Sequence, residues 1–430
     1  MAKPLPKSAL ARNTAWMSAG QGLRLAIQAA YFIVIIRSLG VSNYGAFVGV
    51  VALVGILTPF GPLGSGSLLI KNVARDKQLF PSTWGMALIT LAVSGSVLIG
   101  TVLVLSHFAL PAVIPLRLVL LIAVSDILGL NLIGISGQAF QAFEQLGWTA
   151  TVNVLISGSR LVGGIVLVLV QRHPSALQWG YVYCGSTLVV AIMAYRLVST
   201  KLGPPELSFV RSLAEIREGF YFSVSLSAQT IYNDIDKTML ARMSTLSATG
   251  IYGAAYRLID VSFAPVSALL AAAYPNFFRR GIGGVSSTLA YAKQLLRHAL
   301  GYSVVICAGI LLCAGVVPYI LGPEYACTVE ALRWLAPLPI LKALHYFLSD
   351  TLTGAGYQGL RSAIQTGVAV FNVLINLWLI PAYSWRGAAG SSIASDGLLA
   401  CAVGTAVFLL ANRQSRQIEL AGMAPKVTTV

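Results

Sequence analysis

The sequence predicts an all-α polytopic membrane protein with about twelve transmembrane helices. Its mean hydropathy is +0.78, 57% of its residues are hydrophobic and only 10% are charged. This composition excludes an ordinary soluble domain. Apolar runs of about 20 residues recur along the chain, which is the length that crosses a bilayer as a helix. The short alternating segments that a transmembrane β-barrel requires do not occur in the sequence.

Each predicted span is a mostly apolar run flanked by polar or basic residues. Proline and glycine interrupt several runs, as at Pro59 and Gly61 in the second span, and they are either tolerated there or mark bending at a cavity. Residues 289–299 predict a separate interfacial helix, because an apolar stripe opposes Lys293 and Arg297. The predicted spans are 14–36, 46–69, 84–106, 114–140, 148–170, 177–198, 219–241, 248–274, 299–321, 329–353, 362–383 and 387–411.

The formal net charge of +15 invites the interpretation of a nucleic-acid-binding protein. Basic residues also collect on the cytoplasmic side of membrane proteins, and this explanation fits the chain better. With the N-terminus in the cytoplasm, the cytoplasmic segments hold eighteen lysines and arginines and the outer loops hold six. We therefore expect both termini to be cytoplasmic and no nucleic acid to be bound.

An internal repeat divides the predicted spans into two halves. The tetrapeptide Asn-Val-Leu-Ile at residues 153–156 recurs at 372–375, and a looser match has a similar offset. Because each half holds six spans, an even number, both halves enter the membrane from the same side, which predicts parallel repeats around a central cavity. We expect an N-terminal six-helix lobe with a basic linker at 1–217 and a C-terminal six-helix lobe with a basic tail at 218–430.

One face of the first span carries polar groups. Gln21, Arg24, Gln28 and Tyr31 share this face at helical spacing. An arginine exposed to lipid costs roughly 3 kcal/mol or more, so Arg24 should face a bundle interior or a watery cavity. Arg24 and Arg160 have no acidic residue within one helical turn. They are the cations expected to meet an anionic ligand, with an inter-helix ion pair as the alternative for both.

Other ionisable residues inside the spans have acidic or basic neighbours. Arg257 and Asp260 are three residues apart, as are Asp234 and Lys237, so each pair could neutralise itself. For Arg257 and Lys237, pairing and ligand contact both remain open. Asp236 points away from Asp234 around the helix. Asp234, Asp236 and Asp260 are candidates for proton or cation coupling because of their position inside the membrane.

The sequence contains no motif that supports covalent or cofactor chemistry. The five cysteines are scattered without a CxxC pair, so neither a disulfide framework nor a zinc site is supported. Residues 354–359 fit GxGxxG but follow a membrane helix, and we interpret them as a tight turn. We expect no cofactor, no metal and no catalytic residue.

Three stretches together resemble a known family. Residues 37–45 are similar to "R-x-L-G…Y-G", residues 234–258 to "D-x-x-x-L…G-x-Y-x-x-A-x-R", and residues 372–389 to "N…N-x-x-L-I-P…G-A-A". On these motifs the chain resembles the polysaccharide transporter (Wzx-type flippase) branch of the multidrug/oligosaccharidyl-lipid/polysaccharide exporter superfamily. Their order and span positions match over nearly the whole chain.

The resemblance implies a flippase of the bacterial inner membrane that moves undecaprenyl-diphosphate-linked oligosaccharide repeat units by alternating access. Such a protein serves O-antigen (lipopolysaccharide), capsule or exopolysaccharide synthesis. It implies membrane lipids as surroundings, and a polymerase and a chain-length regulator as partners. Cavity cations would bind the diphosphate, and Arg24 and Arg257 match that placement. Arginine suits phosphate because its planar fork donates two parallel hydrogen bonds. The substrate-binding candidates are Arg24, Arg160, Arg257, Gln28, Tyr31 and Lys237.

Two alternatives remain open at the level of sequence. A cation-coupled small-molecule (drug) exporter of the same superfamily would have a smaller, acidic or aromatic cavity. A membrane polymerase, ligase or glycosyltransferase would need catalytic residues in sizeable outer loops. Here the predicted outer loops are short, and Glu324 and Glu330 are their only acidic residues. We therefore expect a transporter and not an enzyme.

Overall fold

The computed structural model describes residues 7–171, 173–206 and 213–423. Within these ranges the chain is almost entirely helical and contains no β-strand. Nine helical segments of the described part are long and apolar enough to cross a membrane. The predicted all-α polytopic fold is confirmed, while the count of twelve spans stays a prediction.

The helices are α1 Lys7–Leu57, α2 Ser65–Arg75, α3 Phe80–Ala109, α4 Leu116–Ala123, α5 Asn131–Ala142, α6 Leu146–Val170, α7 Ala176–Lys201, α8 Leu213–Met243, α9 Leu246–Gly281, α10 Gly284–Cys313, α11 Val317–Leu321, α12 Thr328–Leu335, α13 Leu338–Gly354, α14 Gln358–Tyr383 and α15 Trp385–Met423. A π-helical segment, Val124–Leu130, joins α4 to α5.

The first two predicted spans form one long helix with a kink, followed by a break. The kink lies at Gly40, whose φ of 70° is readily adopted only by glycine. The N–H of Val41 directly after it donates to the Glu324 carboxylate at 3.3 Å. A short 3-10 turn and a left-handed Gly64 (φ 71°) then separate α1 from α2. The interruption predicted for the second span is therefore real.

The predicted interfacial helix over 289–299 is wrong. These residues are the first part of α10, which continues without interruption from Gly284 to Cys313. The stretch contains no proline or turn signal that would end the helix, so the backbone hydrogen bonds continue into the apolar half. The α10 N-terminus is held by α15, because the Gln414 side chain accepts from the Ser286 N–H at 3.1 Å and donates to the Gly283 carbonyl at 2.8 Å.

The chain forms two compact units. The first comprises Met1–Gly253 with Ile320–Glu324, and one of its cores is built on Phe80, Trp84 and Phe140. The second comprises Ala254–Tyr319 with Tyr325–Val430 and has a core where α9, α10 and α13 pack together. The lobe boundary predicted between residues 217 and 218 lies inside the first unit. The two six-helix lobes and their central cavity stay predictions.

Candidate functional site

Arg160 lies in a buried polar cluster of the first unit, between α6, α7 and the π segment. Its guanidinium carbon lies 3.8 Å from the centre of the Tyr183 ring, and its Nη2 donates to Thr187 Oγ1 at 3.1 Å. The Tyr183 hydroxyl donates to Asp126 Oδ1 at 3.0 Å, and Ser125 donates to Thr187 at 3.0 Å. Arg160 has no acidic neighbour on its own helix, but packing brings Asp126 close through Tyr183. Its role in ligand binding stays a prediction.

The aromatic groups beside this cluster connect it to α1. Tyr31 stacks on Trp179 with ring centroids 6.5 Å apart, and Phe47 contacts both Trp179 and Tyr183 edge-on. Arg24, Gln28 and Tyr31 are all half-buried on α1. The side chain of Gln21, the fourth member of the predicted face, lies outside the described residues. Tyr31 packs against Trp179, and its contact with substrate stays a prediction.

The predicted pair on α8 is confirmed. Lys237 Nζ bonds the Asp234 carboxylate and also donates to the Asn233 carbonyl at 3.1 Å. Asp236 lies on the other side of the helix, where it accepts from the Tyr252 hydroxyl of α9 and from the Lys237 N–H. The ammonium of Lys237 is therefore neutralised by its own helix.

Of the two roles that the sequence left open for Arg257, the ion pair with Asp260 does not form between these described residues. Asp260 instead accepts from Lys342 Nζ of α13 at 3.0 Å, and that ammonium also lies 4.6 Å from the Tyr256 ring centre. Packing of α9 against α13 brings the lysine to the carboxylate. Arg257 is half-buried and makes no ion pair with any residue that the structure describes.

Two further ion pairs of the second unit were not predicted from the sequence. His345 Nε2 of α13 lies 3.2 Å from Asp396 Oδ1 of α15, and each side chain is only 2% exposed. Arg361 Nη1 of α14 lies 3.0 Å from Asp350 Oδ1 of α13. Both pairs join different helices, and the only signal in the sequence was that His345, Asp350 and Asp396 lie inside predicted spans.

The asparagines of the third family motif link α14 to α15. Asn376 donates to Asn372 Oδ1 and Asn372 donates to Ser395 Oγ, each at 3.0 Å. Ser391 of α15 donates back to Asn376 Oδ1 at 2.5 Å. These amides are almost fully buried. Their motif therefore encodes a helix–helix contact within the second unit.

A cavity of about 260 Å³ lies at the break between α1 and α2. Thr58, Pro62, Asn131 and Gln138 are among its lining residues. Gly66 permits the close approach of Gln138, since a Cβ there would lie 1.5 Å from the Gln138 amide oxygen. The lining has polar amides and hydroxyls but no charged side chain, so it supplies no cation for a phosphate group.

Comparison with known proteins identifies the class of this polytopic chain. Residues 10–280 match the sequence family described as "Polysaccharide biosynthesis protein". The chain belongs to this family of flippase-like membrane transporters, and the resemblance drawn from its motifs is confirmed.

Relatives in two organisms carry more specific names. The chain is 22% identical to the "Putative O-antigen transporter" of Escherichia coli K12, over 91% of this chain and 95% of that protein. It is 23% identical to the "Probable low-salt glycan biosynthesis flippase Agl15" of Haloferax volcanii, over 82% of this chain and 74% of that protein.

Solved structures share the fold. An inward-facing multidrug resistance MATE family transporter of the MOP superfamily superimposes with a TM-score of 0.73. The superposition covers 94% of this chain and 99% of that one at 15% sequence identity. At this identity the likeness shows the fold alone.

Proposed function

We propose that the protein is a flippase that moves undecaprenyl-diphosphate-linked oligosaccharide repeat units across the bacterial inner membrane by alternating access. The repeat units serve O-antigen, capsule or exopolysaccharide synthesis. The observation that carries this proposal is the family match, together with relatives named as an O-antigen transporter and a glycan flippase. Translocation changes no covalent bond of the substrate, so the protein is not an enzyme.

The diphosphate of such a substrate needs cationic partners in a site of low dielectric. Lys237 and Lys342 are already neutralised by carboxylates, which makes them weaker candidates. Arg24 is half-buried on the apolar α1, and Arg257 has no ion pair among the described residues. In our proposal Arg24 holds phosphate, Arg257 and Arg160 assist, and Gln28 and Tyr31 contact the remainder of the substrate.

We also propose which residues couple transport to an ion, how the chain is oriented in the membrane and which proteins it works with. Asp234, Asp236 and Asp260 are coupling candidates, and unchanged pH and ion dependence in their Asn variants would remove them. Both termini lie in the cytoplasm, and the two halves of the chain act as six-helix lobes around a central cavity. A polymerase and a chain-length regulator of the same pathway are the partners.

Translocation of a labelled lipid-linked oligosaccharide in proteoliposomes tests the phosphate site. We expect Arg24→Ala to lose most transport and Arg24→Lys to retain part of it, because lysine keeps the charge but not the bidentate fork. Arg37→Ala is the matched control, since Arg37 is exposed on the same helix. Equal transport by wild type and Arg24→Ala would reduce Arg24 to a structural residue and leave the flippase intact.

The alternative that the sequence left open is a cation-coupled small-molecule exporter, and a multidrug transporter has the same fold. The same proteoliposomes distinguish the two. Efflux of small organic cations without movement of any lipid-linked oligosaccharide would support the exporter and contradict the flippase.

A further inference from the structure

We propose that His345 and Asp396 form a proton-binding pair that couples proton movement to the transport cycle. The inference rests on the proposed function, because it concerns the coupling ion of the same flippase. The pair joins α13 to α15 inside the second unit, with Nε2 and Oδ1 3.2 Å apart. Neither residue was among the coupling candidates that the sequence suggested.

This pair differs in chemistry from four other ion pairs between described residues. Asp234, Asp260, Asp350 and Glu330 each pair with a lysine or an arginine. In water, lysine and arginine side chains lose their charge only well above neutral pH. Histidine is the side chain whose charge changes near neutral pH. The net charge of His345–Asp396 is therefore set by the number of protons that the pair holds.

Burial selects one protonation state of the pair while it is enclosed. Both side chains are only 2% exposed, so a net charge on the pair would be costly. One proton on the pair makes it neutral, whether the proton sits on the imidazole or on the carboxyl group. Losing it leaves a charge of −1, and gaining a second leaves +1. The pair should therefore hold one proton when dry and exchange it when water reaches it.

The neighbouring charged groups do not replace this proton. Lys342 lies one turn before His345 on α13, and Arg361 is the nearest cation on α14. Each is matched by a carboxylate, from Asp260 and Asp350 respectively. The Tyr346 ring centre lies 4.4 Å from the imidazole centre. The helix α10 contributes apolar residues such as Ala292 and Ala299 to the core that it shares with α13. With both nearby cations paired, the proton is what neutralises Asp396.

The coupled step is balanced by a single proton. Water on the outer side gives one proton to the pair as an N–H or O–H bond. After the helices rearrange, water on the cytoplasmic side removes it. Inward movement of the proton down its gradient would then favour outward movement of the lipid-linked substrate.

A pH gradient across proteoliposomes tests the coupling. For wild type we expect the steady-state distribution of a labelled lipid-linked oligosaccharide to shift about tenfold per pH unit for one proton, and to shift in the opposite direction when the gradient is reversed. Asp396→Asn and His345→Gln should still equilibrate the substrate without a gradient, but lose this response. His298→Gln, at an exposed position on α10, is the matched control and should respond like wild type.

A substrate-free measurement separates this inference from the flippase proposal. With ¹⁵N-histidine labelling, the His345 signal, assigned by its absence in His345→Gln, should not change with the pH of the bulk buffer between about pH 6 and 8. It should shift when Asp396 becomes Asn. A His345 signal that follows the pH of the bulk buffer, or a full gradient response in both variants, would overturn the proton pair. If the histidine signal is as expected but no lipid-linked oligosaccharide is transported, the flippase proposal is overturned and the proton-binding pair is retained.

Discussion

Tyr183 shows how one side chain can organise a polar group inside a membrane protein. Its ring lies beneath the Arg160 guanidinium, and its hydroxyl donates to Asp126. The π-face of the ring attracts the guanidinium cation, and the hydroxyl supplies a hydrogen bond to the buried carboxyl group. One side chain of α7 therefore contacts both Arg160 of α6 and Asp126 of the π-helical segment.

Replacing Tyr183 by Phe should destabilise the protein by about 1–3 kcal/mol, because a buried carboxyl group loses a hydrogen bond while the ring is kept. The measurement is the midpoint of thermal unfolding in detergent. Tyr181→Phe is the control, since Tyr181 is 51% exposed two residues earlier on the same helix. Equal midpoints for the two variants would mean that the Tyr183 hydroxyl contributes nothing to stability.

At the scale of residues, the sequence predicts contacts along one helix and misses contacts between helices. Asp234 and Lys237 could be paired because their spacing alone brings them together. Asp260 could not be assigned to Lys342, which lies 82 positions away and reaches it through helix packing. Spacing along the helix offers Arg257 as a partner for Asp260, but it carries no information about a partner on another helix.

At the scale of elements, two glycines permit the close approach of α1 and α9 in the first unit. A Cβ at Gly45 of α1 would lie 1.8 Å from the Leu246 carbonyl oxygen of α9. A Cβ at Gly250 of α9 would lie 2.0 Å from the Val41 carbonyl oxygen. Both glycines belong to the motifs that carry the family resemblance. Close backbone approach is the physical reason for glycine at these two positions.

Gly45→Ala should lower stability by about 1–3 kcal/mol or more, because the obstructing atom is backbone and cannot rotate away. Gly100→Ala is the control, since nothing lies within 4 Å of the position in the middle of α3. That change should be neutral or slightly stabilising, as alanine favours the helix. Unfolding midpoints in detergent measure both variants. A Gly45→Ala midpoint at or above that of Gly100→Ala would contradict the close approach.

Element boundaries set by local residues can be predicted from the sequence, whereas those set by contacts with distant residues cannot. The break at 58–64 could be predicted from its prolines and glycines, which act locally on the backbone. The contact of Gln414 with the start of α10 could not, because it joins residues 128 positions apart. The π-helical segment that holds Asp126 also had no recognisable signal in the sequence.

At the scale of the whole molecule, the distribution of basic residues predicts its orientation. In a variant that keeps only Cys327, an exposed cysteine of a predicted outer loop, a membrane-impermeant maleimide should label intact spheroplasts. In a cysteine-free variant carrying Lys201→Cys, from the predicted cytoplasmic linker, labelling should require permeabilisation. The reverse pattern would place both termini outside the cytoplasm.

The ion pairs inside the two units also bear on how the protein responds to membrane voltage. Lys237, Lys342 and Arg361 each accompany an aspartate of the same unit. A lone charge that crosses the whole membrane at 100 mV exchanges about 2.3 kcal/mol with the field, whereas a cation and an anion that travel together exchange almost none. The resting potential therefore does little work on these paired residues. In a transport cycle the membrane potential acts mainly on the ions and ionised groups that cross the membrane without a partner of opposite charge.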